Sequence, residues 1–330
     1  MTSVQNILDE LDCKLTKLHL ETCSENLPLY HYTNAAGLMG ILTSGKIWLT
    51  DCCYLNDPGE IIFGRNYIFE ILKQYEKEFS WITEMEKQIK EDIFHKHMSN
   101  VYVCSFCAMY DYLPAWRYYG DDGFGFAIEF STDFFKPNEK IDLTKNHATI
   151  TDILYDDIRI NEANYTSFLA RSMEEIRQAI TKISDVRKMD DHIISRIKII
   201  LTSHLMALFP SIKHCNYKTE KEWRLFMYEL FNNGERISPP RDDDFEKDTF
   251  KREVKKTISK SIYPLITACS QKIDVPYIKM KIKPTDISRI YVGPAYASSK
   301  KIISELTELL QSLKDFNHVG IKPSNIKYNP

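Results

Sequence analysis

The side chains of this 330-residue chain best suited to chemistry fall in a few polar-aromatic segments. In Glu220-Lys-Glu222-Trp-Arg224, strand alternation puts Glu220, Glu222 and Arg224 on one face and turns Trp223 toward the core. Two readings fit that face: an exposed sheet edge with an ion pair, or a paired-carboxylate site whose ionisation Arg224 tunes. The run Leu29-Tyr-His-Tyr-Thr33 alternates as well, with His31 on one side and Tyr30 and Tyr32 on the other. Trp116, Arg117, Tyr118 and Tyr119 precede Gly120 and offer a cation beside stacking rings, although core packing competes for Trp116. Asn56-Asp57-Pro58-Gly59-Glu60 sets an amide and two carboxylates at a turn, a composition that caps a helix as readily as it contacts a ligand.

The elements that must position these residues follow from periodicity. Val4, Ile7, Leu8, Leu11, Leu15 and Leu18 recur at helical spacing and predict an amphipathic helix within residues 1–27 as an accessory unit. LYHYT reads as a strand, the next segment as a helix closed by Gly45, and KIWLTD as a second strand. Residues from Gly59 through Lys96 predict two helices, and VYVCSFCAM and GFGFAIEF predict strands around a short helical turn at YLPAWRYYG. Helical periodicity recurs twice over 160–208, divided near Lys182 to Asp190, before KEWRLFMYEL returns to strand. The polar stretch Asn232–Phe250, with Pro239-Pro240, predicts a surface loop able to gate a site. YIKMKI and ISRIYVGP read as strands, KKIISELTELLQSL as a helix and HVGIKPS as a final strand before a tail at 326–330. Isolated strands with insertions, rather than regular βαβ units, predict an α+β fold: one domain over 28–325, with helical insertions at about 58–98 and 160–208.

Composition narrows the function classes. With 43 basic and 46 acidic residues and a net charge of −3, there is no bulk attraction to nucleic acid or anionic membrane. The N-terminus lacks a signal-peptide apolar run, and the most apolar stretch, Ile199 to Pro210, is short and interrupted, so a cytoplasmic protein without a membrane span is expected. Eight cysteines fit free thiols in a reducing compartment, and Cys104-Ser-Phe-Cys107 has no second pair with which to hold zinc. Gly40-Ile-Leu-Thr-Ser-Gly45-Lys46 has phosphate-loop spacing, but Ile47 stands where a hydroxyl is needed and the strand–helix order is reversed. Gly120-Asp-Asp-Gly-Phe-Gly125 reads as a turn, His95-Lys-His97 as solvated histidines, and the basic run at Lys251 as a solvated helix face. No metal is predicted.

The order LYHYT, helix, KIWLTD, LNDPGE, CSF, LPAWRYYG, GFGFAIEF, KTEKEWRL, ISRIYVGP resembles a bacterial family known as domain of unknown function 2971, over residues 28–325. A more distant resemblance is to the ADP-ribosyltransferases, which use a His or Arg on the first core strand, an aromatic or Ser on a middle strand and a Glu on a later one. The fold this implies is a split mixed β core with inserted helices.

By that resemblance His31 contacts the nicotinamide-side ribose, Tyr119 or Tyr32 stacks on nicotinamide, and Glu222 bonds the ribose hydroxyl. Glu220 is then the first acid of a Glu-x-Glu pair that orients the acceptor, with Phe209 to Lys218 the loop that reads it. Tyr32, Thr33, Asn56, Asp57, Arg117 and Arg224 complete the expected NAD-binding set. The chain departs from the arginine-modifying members in lacking their middle-strand Ser-Thr-Ser, and Tyr119 precedes its strand. The resemblance implies a transferase or NAD-cleaving effector in bacterial defence or as a toxin, with NAD as substrate and a protein or nucleic-acid acceptor. Two other classes use the same segments: a non-catalytic sensor of a nucleotide or phage component, and a metal-dependent nuclease or hydrolase built on Asp57, Glu60 and Glu222.

Overall fold

A computed structural model describes residues 3–21, 28–55, 60–95, 99–135, 148–152, 154–156, 163–232, 235–236, 245–260, 265–328 and 330. The helical periodicities gather into one layer. α1 (Val4–Glu21) packs on α7 (Ala163–Val186) and α8 (Asp191–Leu208), and α3 (Glu60–Leu72) packs on both. α4 (Trp81–His95) adds Ile82, Met85 and Ile89 to the same core. The i, i+3, i+4 stripe of α1 supplies Leu8, Leu11 and Leu15, all buried against this core, so α1 is integral to the fold rather than accessory. Asp190 caps α8 by accepting from the Ile193 N–H.

α8 also corrects a length. Asp191–Ser211 is long and apolar enough to cross a membrane by composition, longer than the interrupted stretch read from sequence. In the fold 59% of that window is buried, which is how a core helix meets the same test.

Strand-forming segments build a mixed sheet whose centre is β3 (Ser99–Cys107). β8 (Glu222–Asn232) runs antiparallel along one edge of β3 from Cys107↔Glu222 to Ser99↔Leu230, with β5 (Ala148–Asp152) beyond it. The other edge of β3 therefore receives two strands. β2 (Lys46–Asp51) joins at Thr50↔Val103 and Asp51↔Tyr102, whereas β1 (Leu29–Thr33) joins only at Tyr30↔Cys107. Between them the sheet forks. On the β1 side follow β4 (Phe126–Phe130), β12 (Ile287–Val292) and β13 (Gly320–Pro323), the last pair parallel. On the β2 side lie β11 (Leu265–Lys281) and β10 (Phe245–Lys260). β6 (Leu154–Asp156) and β7 (Ile212–His214) form a separate parallel pair, and β9 (Glu235–Arg236) pairs the end of β8. The pairing gives the expected α+β class, with an open mixed sheet and several helices.

The two faces of the sheet bury separate cores. Val101, Val103 and Phe226 meet the helical layer, while Trp223, Leu225, Leu49, Ile128 and Ile278 meet α2 (Ala35–Ser44) and α9 (Lys300–Ser312) through Leu38, Ile41, Leu306 and Leu310. Gly45 ends α2 at φ 61°, where its N–H bonds the Ile41 carbonyl, as expected of an αL cap. α6 (Thr132–Phe135) is a single turn after β4.

Two expectations fail beyond β9. Phe245–Phe250, read as loop, is the start of β10, and the basic run from Lys251 lies on that strand and not on a helix. Cross-strand pairing, which is non-local, overrides the weak apolar pattern there. Of the rest of the expected gating loop, Glu235–Arg236 form β9, while 233–234 and 237–244 lie outside the described residues, as do Asn56 and Asp57.

The terminal segment is a strap and not a tail. Asp111 Oδ1 accepts from Trp116 Nε1 at 2.9 Å and from Ser324 Oγ at 2.6 Å, and Asp111 Oδ2 accepts from the Asn325 N–H at 2.8 Å. Tyr328 adds a bond to Asp122 at 2.7 Å. Asp111→Ala orphans the buried indole N–H together with the strap and is expected to cost about 1–3 kcal/mol. Urea unfolding measures that loss, and faster proteolytic clipping after residue 320 marks the freed strap; unchanged clipping contradicts the hub role.

Candidate functional site

The fork in the sheet opens a cavity of about 390 Å³, within the range of small-molecule sites. Pairing register puts Tyr30, Tyr32, Trp48, Thr50, Val103, Ser105, Cys107, Glu222 and Arg224 on one sheet face, and all of them line the cavity. His31, Cys104 and Phe106 have the opposite parity and reach it through the fork itself. Tyr54, Leu55, Ala115, Tyr119, Lys213 and Glu220 complete the wall.

The acidic motif differs locally from the alternation read in sequence. β8 starts at Glu222, and Glu220 ends a 3₁₀ turn, separated from it by Lys221 in the left-handed region at φ 50°. The two carboxylates converge because a lysine joins them. Lys213 on β7, only 3% exposed, donates to Glu220 Oε2 at 2.6 Å and to Glu222 Oε2 at 2.8 Å. Arg224, 1% exposed, clasps Glu222 through Nε to Oε1 at 2.8 Å and Nη2 to Oε2 at 3.1 Å, and gives Nη1 to the Pro210 carbonyl at 2.9 Å. The exposed-edge reading is thereby excluded: β8 lies between β3 and β5, and Glu222 is buried.

Burial alone raises the Glu222 pKa, but Arg224 and Lys213 outweigh it and hold the carboxyl at about 2. Glu222 is thus a carboxylate throughout the physiological range. Lys213 was missed in the sequence because its partners are fixed by the fold-back of β7 onto the start of β8. Its one local signal is a lysine between Ile212 and His214 on a short strand.

His31 donates from Nδ1 to the Ser105 carbonyl at 3.0 Å, since a carbonyl can only accept, and this leaves Nε2 as an acceptor. Burial pushes the His31 pKa down more than the Ser105 bond raises it, so the ring is neutral at pH 7. Cys104 Sγ stands 3.7 Å from Nδ1, and burial raises its thiol far above the ordinary range. Burial likewise lifts Cys107 to about 11, so neither is a ready thiolate.

Tyr32 works as scaffold. Its hydroxyl donates to the Met109 carbonyl at 2.8 Å and accepts the Tyr112 N–H at 3.2 Å, while its ring meets Trp116 edge-on at 4.8 Å. These bonds seat α5 (Leu113–Tyr118), whose C-cap Tyr119 closes the cavity. Gly125 permits the return to β4, since a Cβ there falls 2.3 Å from the Thr33 carbonyl. Among the remaining expected residues, Thr33 and Arg117 do not line the cavity. Arg117 lies on the surface, 3.8 Å from Asp122.

Among the described residues, no group of three or more His, Cys, Asp or Glu side chains is clustered for a metal ion. No curated protein and no solved structure matches the chain. Residues 115–225, running from the helix beneath Tyr119 to the end of the Glu222–Arg224 cluster, match the family described as Protein of unknown function (DUF2971).

Proposed function

We propose that the fork cavity binds NAD and cleaves its nicotinamide–ribose bond, passing ADP-ribose to an acceptor or to water. The observation that supports this reading is the convergence of His31, Tyr119, Glu220 and Glu222, from distant segments, on one cavity. In the reaction the C1′–N bond breaks, its electron pair leaves with neutral nicotinamide, and the oxocarbenium ion is captured by a nucleophile that gives up a proton. A permanently ionised, buried Glu222 stabilises that positive charge more strongly than a solvated carboxylate does. The neutral His31 ring accepts a ribose hydroxyl at Nε2, Tyr119 stacks on nicotinamide, and Glu220 faces the incoming acceptor. In a bacterium such NAD consumption serves as a toxin or antiphage effector.

One observation favours a second reading, a non-catalytic nucleotide sensor. Both Glu222 oxygens already accept bonds from Lys213 or Arg224, so a ribose hydroxyl must share them. Calorimetric titration with NAD alongside chromatographic assay of nicotinamide separates the two. Saturable binding with nicotinamide release, and with Tyr119→Ala raising KM more than it lowers kcat, is the result expected for the enzyme. Binding without release establishes the sensor, and no binding removes NAD from the site. A metal-dependent hydrolase has less support, since an ion at Glu222 must displace two cations and Asp57 lies outside the described residues.

A further inference from the structure

Two of the aromatic rings that line the fork cavity are exposed, Tyr119 at 40% and Trp48 at 45%, so both stand at its mouth. The proposed reaction assigns Tyr119 to nicotinamide and leaves Trp48 without a role. Alternation explains the exposure. Ile47 and Leu49 turn from β2 into the core with Ile278 and Met280 of β11, so Lys46, Trp48 and Thr50 share the other face with Lys281, Lys279 and Tyr277, each directly opposite in register. The indole is held there. Its centroid lies 4.1 Å from that of the buried Tyr277 ring, with 32° between the planes, and Lys279 Nζ sits 5.7 Å from the Tyr277 centroid. A ring already fixed gives up little conformational freedom when a flat ligand stacks on it.

One same-face rung outward from Trp48, about 7 Å along the strand, Lys46 stands directly opposite Lys281. Trp48 and Thr50 line the cavity and Lys46 does not, so the order from the cavity outward is Thr50, the indole, the lysine pair. A nucleotide that enters base first has the same order: flat ring, ribose, phosphate. A dinucleotide with its nicotinamide at Tyr119 does not match it, because its phosphates lie between its two bases, inward of an adenine placed on Trp48.

We propose that Trp48, Lys46 and Lys281 form a second nucleotide subsite at the cavity mouth, which stacks a nucleobase, holds its phosphate, and takes a nucleoside monophosphate either free or as a residue of a single strand. A paired duplex does not fit, since its bases are already stacked. In the transferase reading, on which this step alone rests, the nucleotide is the ADP-ribose acceptor. An amino nitrogen of the base bonds C1′ as the C1′–N bond to nicotinamide breaks, nicotinamide leaves with that electron pair, and an amino proton passes to water.

The test is tryptophan fluorescence of the full chain titrated with AMP, without NAD. Trp116 and Trp223 are buried and Trp81 packs on the helical layer, so quenching by a stacked base reports chiefly on Trp48. Saturable quenching is expected. By calorimetry, Trp48→Ala lowers AMP affinity about 5-fold to 150-fold, the range for one base–aromatic stack, and Trp48→Tyr restores affinity without the quench. K46Q/K281Q brings AMP affinity down to that of adenosine and leaves adenosine binding unchanged, and circular dichroism melting verifies that each variant folds. Absence of AMP binding, wild-type AMP affinity in Trp48→Ala or in K46Q/K281Q, or quenching by phosphatidylglycerol vesicles alone overturns the subsite, whatever the fate of NAD. Oligoadenylate identifies the source: tighter binding than AMP marks a strand, and failure to bind where AMP binds marks a free nucleotide. Labelled NAD added to the bound nucleotide reads the acceptor role separately. Nicotinamide release with the nucleotide unlabelled overturns that role alone, and absence of release overturns the NAD-cleaving reading and the acceptor role together, but not the subsite.

Discussion

Glu222→Gln is expected to lower nicotinamide release from NAD by about a hundredfold to a thousandfold, the usual effect of losing one preorganised electrostatic group. Gln keeps the volume and the acceptor oxygen of Glu222 but loses the charge that opposes the oxocarbenium ion. The effect should fall on kcat more than on KM, because that charge develops only on the way to the transition state. With Glu222 held at about 2, its ionisation contributes no limb to the rate profile between pH 5 and 8, so any inflection there belongs to another group. Thermal unfolding of the variant must accompany the assay, since the new amide sets an N–H₂ against Lys213 or Arg224. Equal turnover by wild type and a folded variant removes Glu222 from the mechanism.

The second large effect is on stability. Arg224→Met is expected to cost about 3–5 kcal/mol, the range for breaking a buried ion pair from one side. The loss arises because Glu222 gives up the Arg224 clasp while buried, and the Pro210 carbonyl loses the Arg224 donor. Glu222→Leu combined with Arg224→Met removes both charges and should recover much of that loss, which a urea double-mutant cycle reads directly. Independent, additive losses contradict the coupling. The pH sign follows from the depressed carboxyl. The folded pKa of Glu222, about 2, lies below its ordinary 4.5, so its stabilisation is present above 4.5 and is lost as pH falls toward 2. Arg224→Met raises that folded pKa and should move the acid loss of stability to higher pH.

The contrast between β8 and β10 shows what is legible in the chain. KEWRLFMYEL reads as strand because apolar and β-prone residues are dense, and Trp223 turns to the core as alternation demands. Phe245–Lys260 mixes charges with few apolar residues, and its strand character comes from β11, which no local pattern reveals. Lys213 escaped for a similar reason. An ammonium bridging two carboxylates exists only once β7 lies beside the first residues of β8, and the same approach set Glu220 beside Glu222 despite the left-handed Lys221 between them. Tyr32 lines the cavity, and its hydroxyl also bonds Met109 and Tyr112, 77 and 80 residues away, partners that no local pattern reveals.

Short-range physics therefore determined the helices, the inner strands, the Gly45 cap and the polar and aromatic residue types available at the cavity, since periodicity and capping depend on neighbours within a few positions. The tertiary structure decided the rest. It brought β1 and β2 onto the same edge of β3 and opened the fork, buried Glu222 between two cations, and set Trp48 of β2 against Tyr277 of β11 at the cavity mouth. The strand pairings join residues tens to hundreds of positions apart, and the Glu222 cluster, though its members are 2 and 9 positions apart, forms only where the sheet buries it, so burial and pairing free energies, and not local propensity, set the outcome.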